Sequence, residues 1–178
     1  YHAPWHGFGE VVALANATVG QLEIHVVGGD VKEMSGLPDN LISHGFLDGA
    51  AYRNVFSSCD VGLGSCGLHR IPLKEACPLK MRDYLAAGLA VIVPYEDTAL
   101  EEKREGDGEY PEWMLKVPNG PENLVGARES ILEFCRSWVG RRVPRSEVEP
   151  LIDVVALEAR RVSFFKSVCE GVGSKVMS

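Results

Sequence analysis

Short apolar runs closed by glycine alternate with helical stretches, and this alternation limits the fold more than any other feature of the chain. Residues 22–30, LEIHVVGGD, predict a buried strand that ends in a glycine turn. By the same criteria we predict further strands at residues 41–47, 60–65, 89–95 and 113–117. Helices are predicted at residues 50–59, 78–88, 120–139 and 146–172, the last with a break near Pro150. The alternation predicts an α/β fold, a Rossmann-like parallel sheet with helices on both faces.

The overall composition narrows the class of protein. A chain of 178 residues suits one domain that spans residues 1–178. Its formal net charge of -7 disfavours a nucleic-acid partner, which needs a basic face. No apolar run reaches the roughly 18 residues of a membrane span, so none is expected. The five cysteines form no CxxC pair, which favours reduced thiols and a cytoplasmic location.

The first residues raise a question about the extent of the protein. Tyr1 is not a usual start, and residues 1–7, YHAPWHG, have the character of a strand that is ending. We therefore expect the chain to be a fragment of a longer protein. The alternative is a processed form of a complete small protein.

Ligands of open parallel sheets bind at the carboxyl ends of the strands. The loops predicted at that edge are residues 5–9, 28–30, 43–46, 64–78 and 95–98. By contrast, the acidic residues 96–112 predict a solvated loop with a short helix. The sequence contains neither a G-x-S-x-G nucleophile turn nor a G-x-G-x-x-G dinucleotide fingerprint.

The stretch GLHRIPLKEACPLKMRDYLAAGLAVIVP, residues 67–94, concentrates charge ahead of a predicted helix. Pro78 places the helix start at residues 76–79, where free amides favour a phosphate. Lys80 in the first turn opposes the helix dipole unless an anion binds there. Arg70 and Lys74 add positive charge, while Glu75 and Asp83 are spaced to hold two different polyols beside a diphosphate. The alternative interpretation is a set of surface ion pairs, and spacing alone leaves the two open.

The histidines and tryptophans offer weaker candidates. None of the five histidines, His2 included, has metal-ligand spacing, so no metal site is predicted. We expect His25 to be a core residue with a hydrogen-bond partner, and His69 to be the best functional candidate. Trp113 and Trp138 are expected in the core.

Several blocks of the chain together resemble the donor-binding half of retaining glycosyltransferases of the GT-B fold, the glycosyl transferases group 1. That family carries two acids separated by seven residues, then a small-residue helix end and G-x-x-V-I. Here the pair is Glu75 and Asp83, followed by YLAAGLAVIV. The segments LEIHVVGGD, SHGFLDGAAYRNVFSSCDVGL and WHGFG are similar to further family blocks. The resemblance covers roughly residues 1–125.

The resemblance implies a role for each site residue. Glu75 matches the acid that contacts the donor sugar, and Asp83 matches the acid that holds the ribose, although the family usually has Glu there. The backbone of Ala76, Cys77, Pro78 and Leu79 would lie near the diphosphate, with Lys80 reaching the same phosphates. Cys77 stands where related sequences have Ser, so one hydroxyl donor is lost. The nucleobase would lie by the loops that contain Gly28, Gly29, His44 and Phe46.

One departure from the family pattern concerns the first loop. The family usually has an Arg and a Lys there, which neutralise the leaving diphosphate, whereas this chain has WHGFGE. His6 and Gly7 would supply donors, but Glu10 has the wrong sign. Our hypothesis is that Arg70 compensates from the other side. Catalytic roles are accordingly assigned to Glu75, Arg70 and Lys80.

The implied activity is transfer of a hexose-type sugar from a nucleoside-diphosphate sugar to an acceptor hydroxyl, with retention, no cofactor and no obligatory metal. The acceptor would bind a missing N-terminal domain. Through that domain the protein could also contact a membrane peripherally. Residues 146–172 would cross towards that domain and leave Leu151, Val155 and Phe164 unusually exposed. Alternatives are a non-catalytic nucleotide-binding or scaffolding module and half of a sugar-nucleotide epimerase.

Overall fold

A computed structural model describes residues 3–29, 36–71, 73–98 and 110–173. The helices are α1 (Phe8–Ala17), α2 (Gly49–Ser58), α3 (Leu79–Ala86), α4 (Asn123–Gly126), α5 (Arg128–Trp138), α6 (Arg145–Ile152) and α7 (Val154–Gly173). The strands are β1 (Ile24–Val27), β2 (Leu41–Gly45), β3 (Val61–Leu63), β4 (Glu75–Ala76), β5 (Ala90–Val93), β6 (Glu96–Asp97) and β7 (Met114–Lys116). Short 3-10 turns occupy Pro4–His6 and Leu68–Arg70.

Every strand pair in the described residues is parallel. One sheet has the order β3-β5-β7, a second consists of β1 and β2, and a third pairs β4 with β6. The register of the first pair places Val61 opposite Ala90, and that of the second places Ile24 opposite Leu41. The fold is therefore α/β with parallel strands, as the alternation in the sequence predicts.

Strand β5 lies at the centre of the molecule and is buried on both faces. Val91 and Val93 pack into a cluster with Met81 and Leu85 of α3, whereas Ile92 packs on the opposite side with Leu14 of α1. Alternate side chains of a strand point to opposite faces, so both faces of this sheet are covered by helices. Trp113 and Trp138 are 0% and 2% exposed, which confirms their predicted place in the core.

Two long predicted helices are each divided in two. The predicted helix at residues 120–139 begins only at Asn123 and breaks at Ala127, between α4 and α5. The break predicted near Pro150 is confirmed: it lies at Asp153, whose carboxylate accepts a 2.9 Å hydrogen bond from the Ala156 amide. That bond is typical of a new helix start.

Other predictions near the termini and loops need correction. Residues 3–7 are not a strand end, since Pro4–His6 is a 3-10 turn, and Tyr1 and His2 lie outside the described residues. Helix α1 had no counterpart among the predicted elements. The segment at residues 96–112 begins as strand β6, where Asp97 is buried, while its residues 99–109 lie outside the described residues.

The last helices differ in burial. Leu151 of α6 is 2% exposed, so the prediction that it is exposed was wrong: it packs against α3 in the core. Val155 and Phe164 of α7 are 76% and 64% exposed, as predicted. Across the described residues, no helix combines the length and the apolar character that crossing a membrane requires.

Candidate functional site

Glycine turns follow β1 and β2 at the carboxyl edge of their sheet. Gly28, Gly29 and Gly45 have φ angles of 90°, 77° and 67°, a region that glycine adopts without steric cost. The Gly28 amide donates a 2.7 Å hydrogen bond to the Gly45 carbonyl, so the two turns lie side by side. Open space lies beside Gly28 and Gly45, where an added Cβ would have no heavy atom within 4 Å. At this edge a ligand can therefore approach the backbone without meeting a side chain of these glycines.

The first loop of the chain is bound to the loop that follows β3. The amides of Cys66 and Gly67 donate to the carbonyls of His6 and Trp5, at 3.1 and 3.2 Å. A Cβ on Gly7 would lie 2.5 Å from the Gly67 nitrogen, so the two backbones touch. This contact places the predicted loop at residues 5–9 beside the predicted loop at residues 64–78.

Lys80 lies in the first turn of α3 and points to the same edge. Burial lowers the pKa of its ammonium group, and the neighbouring Cys66 partly offsets that shift. No carboxylate among the described residues lies within ion-pair distance of Lys80. Nor does any side chain of the described residues cap the start of α3. A bound anion would meet both the ammonium group and the helix N-terminus.

Glu10 occupies the space between two of the predicted site residues. Its carboxylate is 7% exposed and accepts a hydrogen bond from the Arg70 guanidinium at 2.5 Å. The His69 Nε2 lies 3.5 Å from the same oxygen. Arg70 therefore does approach the first loop, as the hypothesis of compensation requires, but part of its charge is balanced by Glu10.

Arg82 and Asp97 form a buried ion pair that the sequence did not suggest. Their side chains are 14% and 0% exposed, and the Arg82 guanidinium donates directly to the Asp97 carboxylate. Arg82 also donates a 3.3 Å hydrogen bond to the Cys77 thiol. The pair joins α3 to β6 and lies next to Cys77 of the predicted diphosphate loop.

His44 contacts His25 instead of pointing into the open edge. The two rings stack with 13° between their planes, and His25 Nδ1 lies 2.8 Å from His44 Nε2. His25 Nε2 lies 2.7 Å from the Glu23 carboxylate, which assigns the proton of a neutral His25 to Nε2. The prediction that His25 has a hydrogen-bond partner is confirmed, but its predicted place in the core is wrong, since the side chain is 17% exposed and lines the cavity described next.

A cavity of about 700 Å³ opens at this edge and runs inward between β1 and β3. Five predicted site residues line it: His6, Gly28, Gly29, Phe46 and Lys80. Phe46 is 74% exposed, which is unusual for an aromatic side chain beside a cavity.

The remaining predicted residues lie outside this cavity. Gly7 and His69 belong to the two hydrogen-bonded loops at residues 5–9 and 64–78. Glu75 and Ala76 form β4, so the Ala76 backbone is part of a strand and not of the helix start. Glu75, Cys77, Leu79 and Asp83 are exposed, and Pro78 is half-buried at the N-cap position of α3. The structure thus brings five predicted residues to one cavity, whereas the backbone of residues 76–79, His44 and the two acids lie outside it.

Within the described part of the chain, no group of three or more His, Cys, Asp or Glu side chains has a geometry that could hold a metal ion. Comparison with known proteins gave no similarity: no protein-family model and no curated protein sequence matches this chain.

Proposed function

We propose that this chain is the donor-binding domain of a retaining glycosyltransferase of the GT-B type. In this proposal it binds a nucleoside-diphosphate sugar, whose hexose-type sugar is transferred to an acceptor hydroxyl held by a separate N-terminal domain. By itself the chain binds the nucleotide and is slow or inactive in transfer.

The single observation that carries the proposal is the position of Lys80. Its desolvated ammonium group lies in the first turn of α3, at the edge where the glycine turns after β1 leave open space. Desolvating a cation without an acidic partner is unfavourable, and a bound anion would offset that cost. A diphosphate has the charge and the oxygen acceptors for this position.

Each neighbouring residue has a function consistent with a nucleotide sugar. The exposed ring of Phe46 offers a face on which a nucleobase stacks, and the turns at Gly28 and Gly29 let the nucleobase approach the backbone. Glu75 and Asp83 present carboxylates to the sugar and ribose hydroxyls. During transfer the negative charge on the leaving diphosphate increases, and Lys80 with the amides at the start of α3 stabilises it.

Replacing Lys80 by methionine is expected to weaken binding of a nucleoside diphosphate by roughly 10–100-fold, the usual worth of a charged hydrogen bond. Because methionine keeps most of the apolar stem and removes a desolvated charge, the melting temperature should stay the same or rise. Titration calorimetry and a thermal melt on each protein measure the two quantities.

Lys166 on the exposed α7 is the matched control, and Lys166→Met should bind as the parent chain does. Binding that is equal in Lys80→Met and Lys166→Met would remove the main support for the proposal. Since binding requires a protonated Lys80 whose pKa is lowered, the affinity should fall as the pH is raised.

Replacing Phe46 by alanine is expected to weaken nucleoside diphosphate binding by roughly 2–10-fold, the worth of one stacking contact of roughly 0.5–1.5 kcal/mol. Inorganic pyrophosphate has no base, so its affinity should not change. Calorimetric titration with both ligands tests this, with Phe164→Ala on α7 as the control, because Phe164 is exposed to a similar degree. Equal losses for both ligands would show that Phe46 acts through the fold and not through stacking.

One observation favours a non-catalytic nucleotide-binding module as the second candidate. Glu10 pairs with Arg70, so the site has less free positive charge than a leaving diphosphate needs. The intact protein separates the two candidates: sugar-dependent release of nucleoside diphosphate supports the transferase, and binding without release supports the module. Recovery of a free 2-epimerised sugar would instead indicate an epimerase.

A further inference from the structure

The cavity between β1 and β3 has the surroundings of a missing strand. Among the described residues β1 has one strand neighbour, β2, and β3 has one, β5, so each leaves one edge without a partner. The cavity is bounded by these two edges, with residues 24–29 on one side and residues 61–64 on the other. Its volume is about 700 Å³. We call this space the strand slot.

Helices cover the strand slot above and below, as they cover a central strand of a parallel sheet. Phe8, Val11 and Leu14 of α1 line it together with Ile131 of α5, and Tyr52 and Phe56 of α2 line it as well. These six side chains suit apolar side chains on both faces of an extended segment, whereas Glu23, Asp60, Lys80 and Arg136 add polar groups to other parts of the lining. A small nucleotide would leave the inner part of this surface without polar partners.

The strands on the two sides of the slot point the same way. Residues 5 and 6 are hydrogen-bonded to Cys66 and Gly67, just past the carboxyl end of β3. Helix α1 then leads back, and Asn40 ties its end to the start of β1 by donating to the carbonyls of Ala15 and Leu22, each at 3.0 Å. Strand β1 therefore begins at the far end of the slot and runs parallel to β3.

The direction of the backbone amides supports the same conclusion. The Gly28 amide donates to β2 and the Gly64 amide donates to β5. Successive amides of a strand point to opposite sides. The amides of His25, Val27, Val61 and Leu63 therefore point into the strand slot. A parallel strand placed there would pair with both edges.

We propose that the strand slot receives one parallel, apolar β-strand of about five residues, and that this strand is continuous with the polypeptide that leads into Ala3. Ala3 is 4% exposed, and the Pro4–His6 turn that follows it lies at the carboxyl-end mouth of the slot, which His6 lines. A strand that ends there, followed by α1 and β1, completes a βαβ unit, the standard parallel connection. Helix α1 has 10 residues and spans about 15 Å, close to the length of a five-residue strand.

The strand slot is the same cavity whose carboxyl edge carries the nucleotide site proposed above. The test of the strand uses no nucleotide, so its outcome can be told apart from that of the proposed function. The 178-residue chain is compared with two extended proteins in which five residues are fused ahead of Tyr1. One extension alternates Val and Ile, and the control extension of equal length alternates Ser and Asn. We expect the apolar extension to raise the melting temperature by about 10 °C or more and the polar extension to leave it within about 2 °C.

Hydrogen exchange locates the added strand. The amides of His25, Val27, Val61 and Leu63 should exchange at least about 100-fold more slowly in the apolar extension than in the 178-residue chain. The amides of Gly28 and Gly64, which already donate to neighbouring strands, should change less. Unchanged exchange at the four amides with an unchanged melting temperature would overturn the proposal, as would full protection of all four in the 178-residue chain.

Cysteine reactivity gives a measurement that does not depend on the melting temperature. Cys59 and Cys135 line the strand slot, whereas Cys77 and Cys169 are exposed elsewhere. Alkylation followed by peptide mapping should show slower reaction of Cys59 and Cys135 in the apolar extension, with Cys77 and Cys169 unchanged. If Cys59 and Cys135 of the 178-residue chain are instead protected from alkylation when that chain forms dimers, a second copy fills the slot and the proposed occupant is wrong.

Discussion

Replacing Arg82 by methionine is expected to destabilise the fold by about 3–5 kcal/mol, the usual cost of removing one partner of a buried ion pair. Asp97 is fully buried at the start of the acidic segment, and the Arg82 guanidinium donates directly to its carboxylate. Methionine keeps the apolar stem and removes the guanidinium, so the loss combines the ion pair, the hydrogen bond to Cys77 and the space that the guanidinium fills. Urea unfolding of the two proteins measures the difference.

Two further variants separate the ion pair from general effects. Replacing both residues, Arg82→Met with Asp97→Leu, removes both charges and should cost clearly less than Arg82→Met alone. Arg161 pairs with Glu158 at 2.7 Å on the exposed α7, and Arg161→Met should cost no more than about 0.5 kcal/mol. If the Arg82 and Arg161 variants lost equal stability, the buried pair would not fasten β6 to α3.

Replacing Gly7 by alanine is expected to cost about 3 kcal/mol, since two penalties add at this position. The backbone has a φ of 73°, and a Cβ would lie 2.5 Å from the Gly67 nitrogen and 2.6 Å from the Cys66 carbonyl carbon. Both contacts are with backbone, which cannot move without breaking the hydrogen bonds between the two loops. Chemical denaturation measures the loss of free energy of unfolding.

Gly20 is the matched control because it shares the backbone conformation without the contact. Its φ is 74°, and a Cβ added there would have no heavy atom within 4 Å. Gly20→Ala should cost about 1–2 kcal/mol from conformation alone. The excess in Gly7→Ala then measures the contact between the first loop and the loop after β3. Equal losses at both positions would contradict that contact.

The five longer strands and helices α2 and α3 were predicted from the sequence, whereas the two-residue strands β4 and β6 were not. The apolar runs around Val26 and Val91 are short and end in glycine or proline, so their strands follow from local pattern. Helix α1 was missed because its residues are apolar on most sides and show little periodicity. The break in the last helical region was predicted near Pro150 from the proline alone, and the structure has it three residues later, at Asp153.

The parts of the candidate site that depend on backbone turns could be predicted from the sequence. The parts that depend on ion pairs between distant residues could not. Gly28, Gly29 and Lys80 could be placed at the carboxyl edge because loops after parallel strands meet there. The pairing of Glu10 with Arg70 joins residues 60 positions apart, and no local pattern contains it. Asp97 looked solvated among its acidic neighbours, since only the tertiary fold brings Arg82 to it.

The most direct test of the proposed function is calorimetric titration of the 178-residue chain with a panel of nucleoside diphosphates, with pyrophosphate and the free nucleosides as partial ligands. We expect at least one nucleoside diphosphate to bind with one site per chain, more tightly than either of its parts, and to bind about 10–100-fold more weakly to Lys80→Met. Absence of binding across the panel, or equal binding to the parent chain and Lys80→Met, would contradict the account.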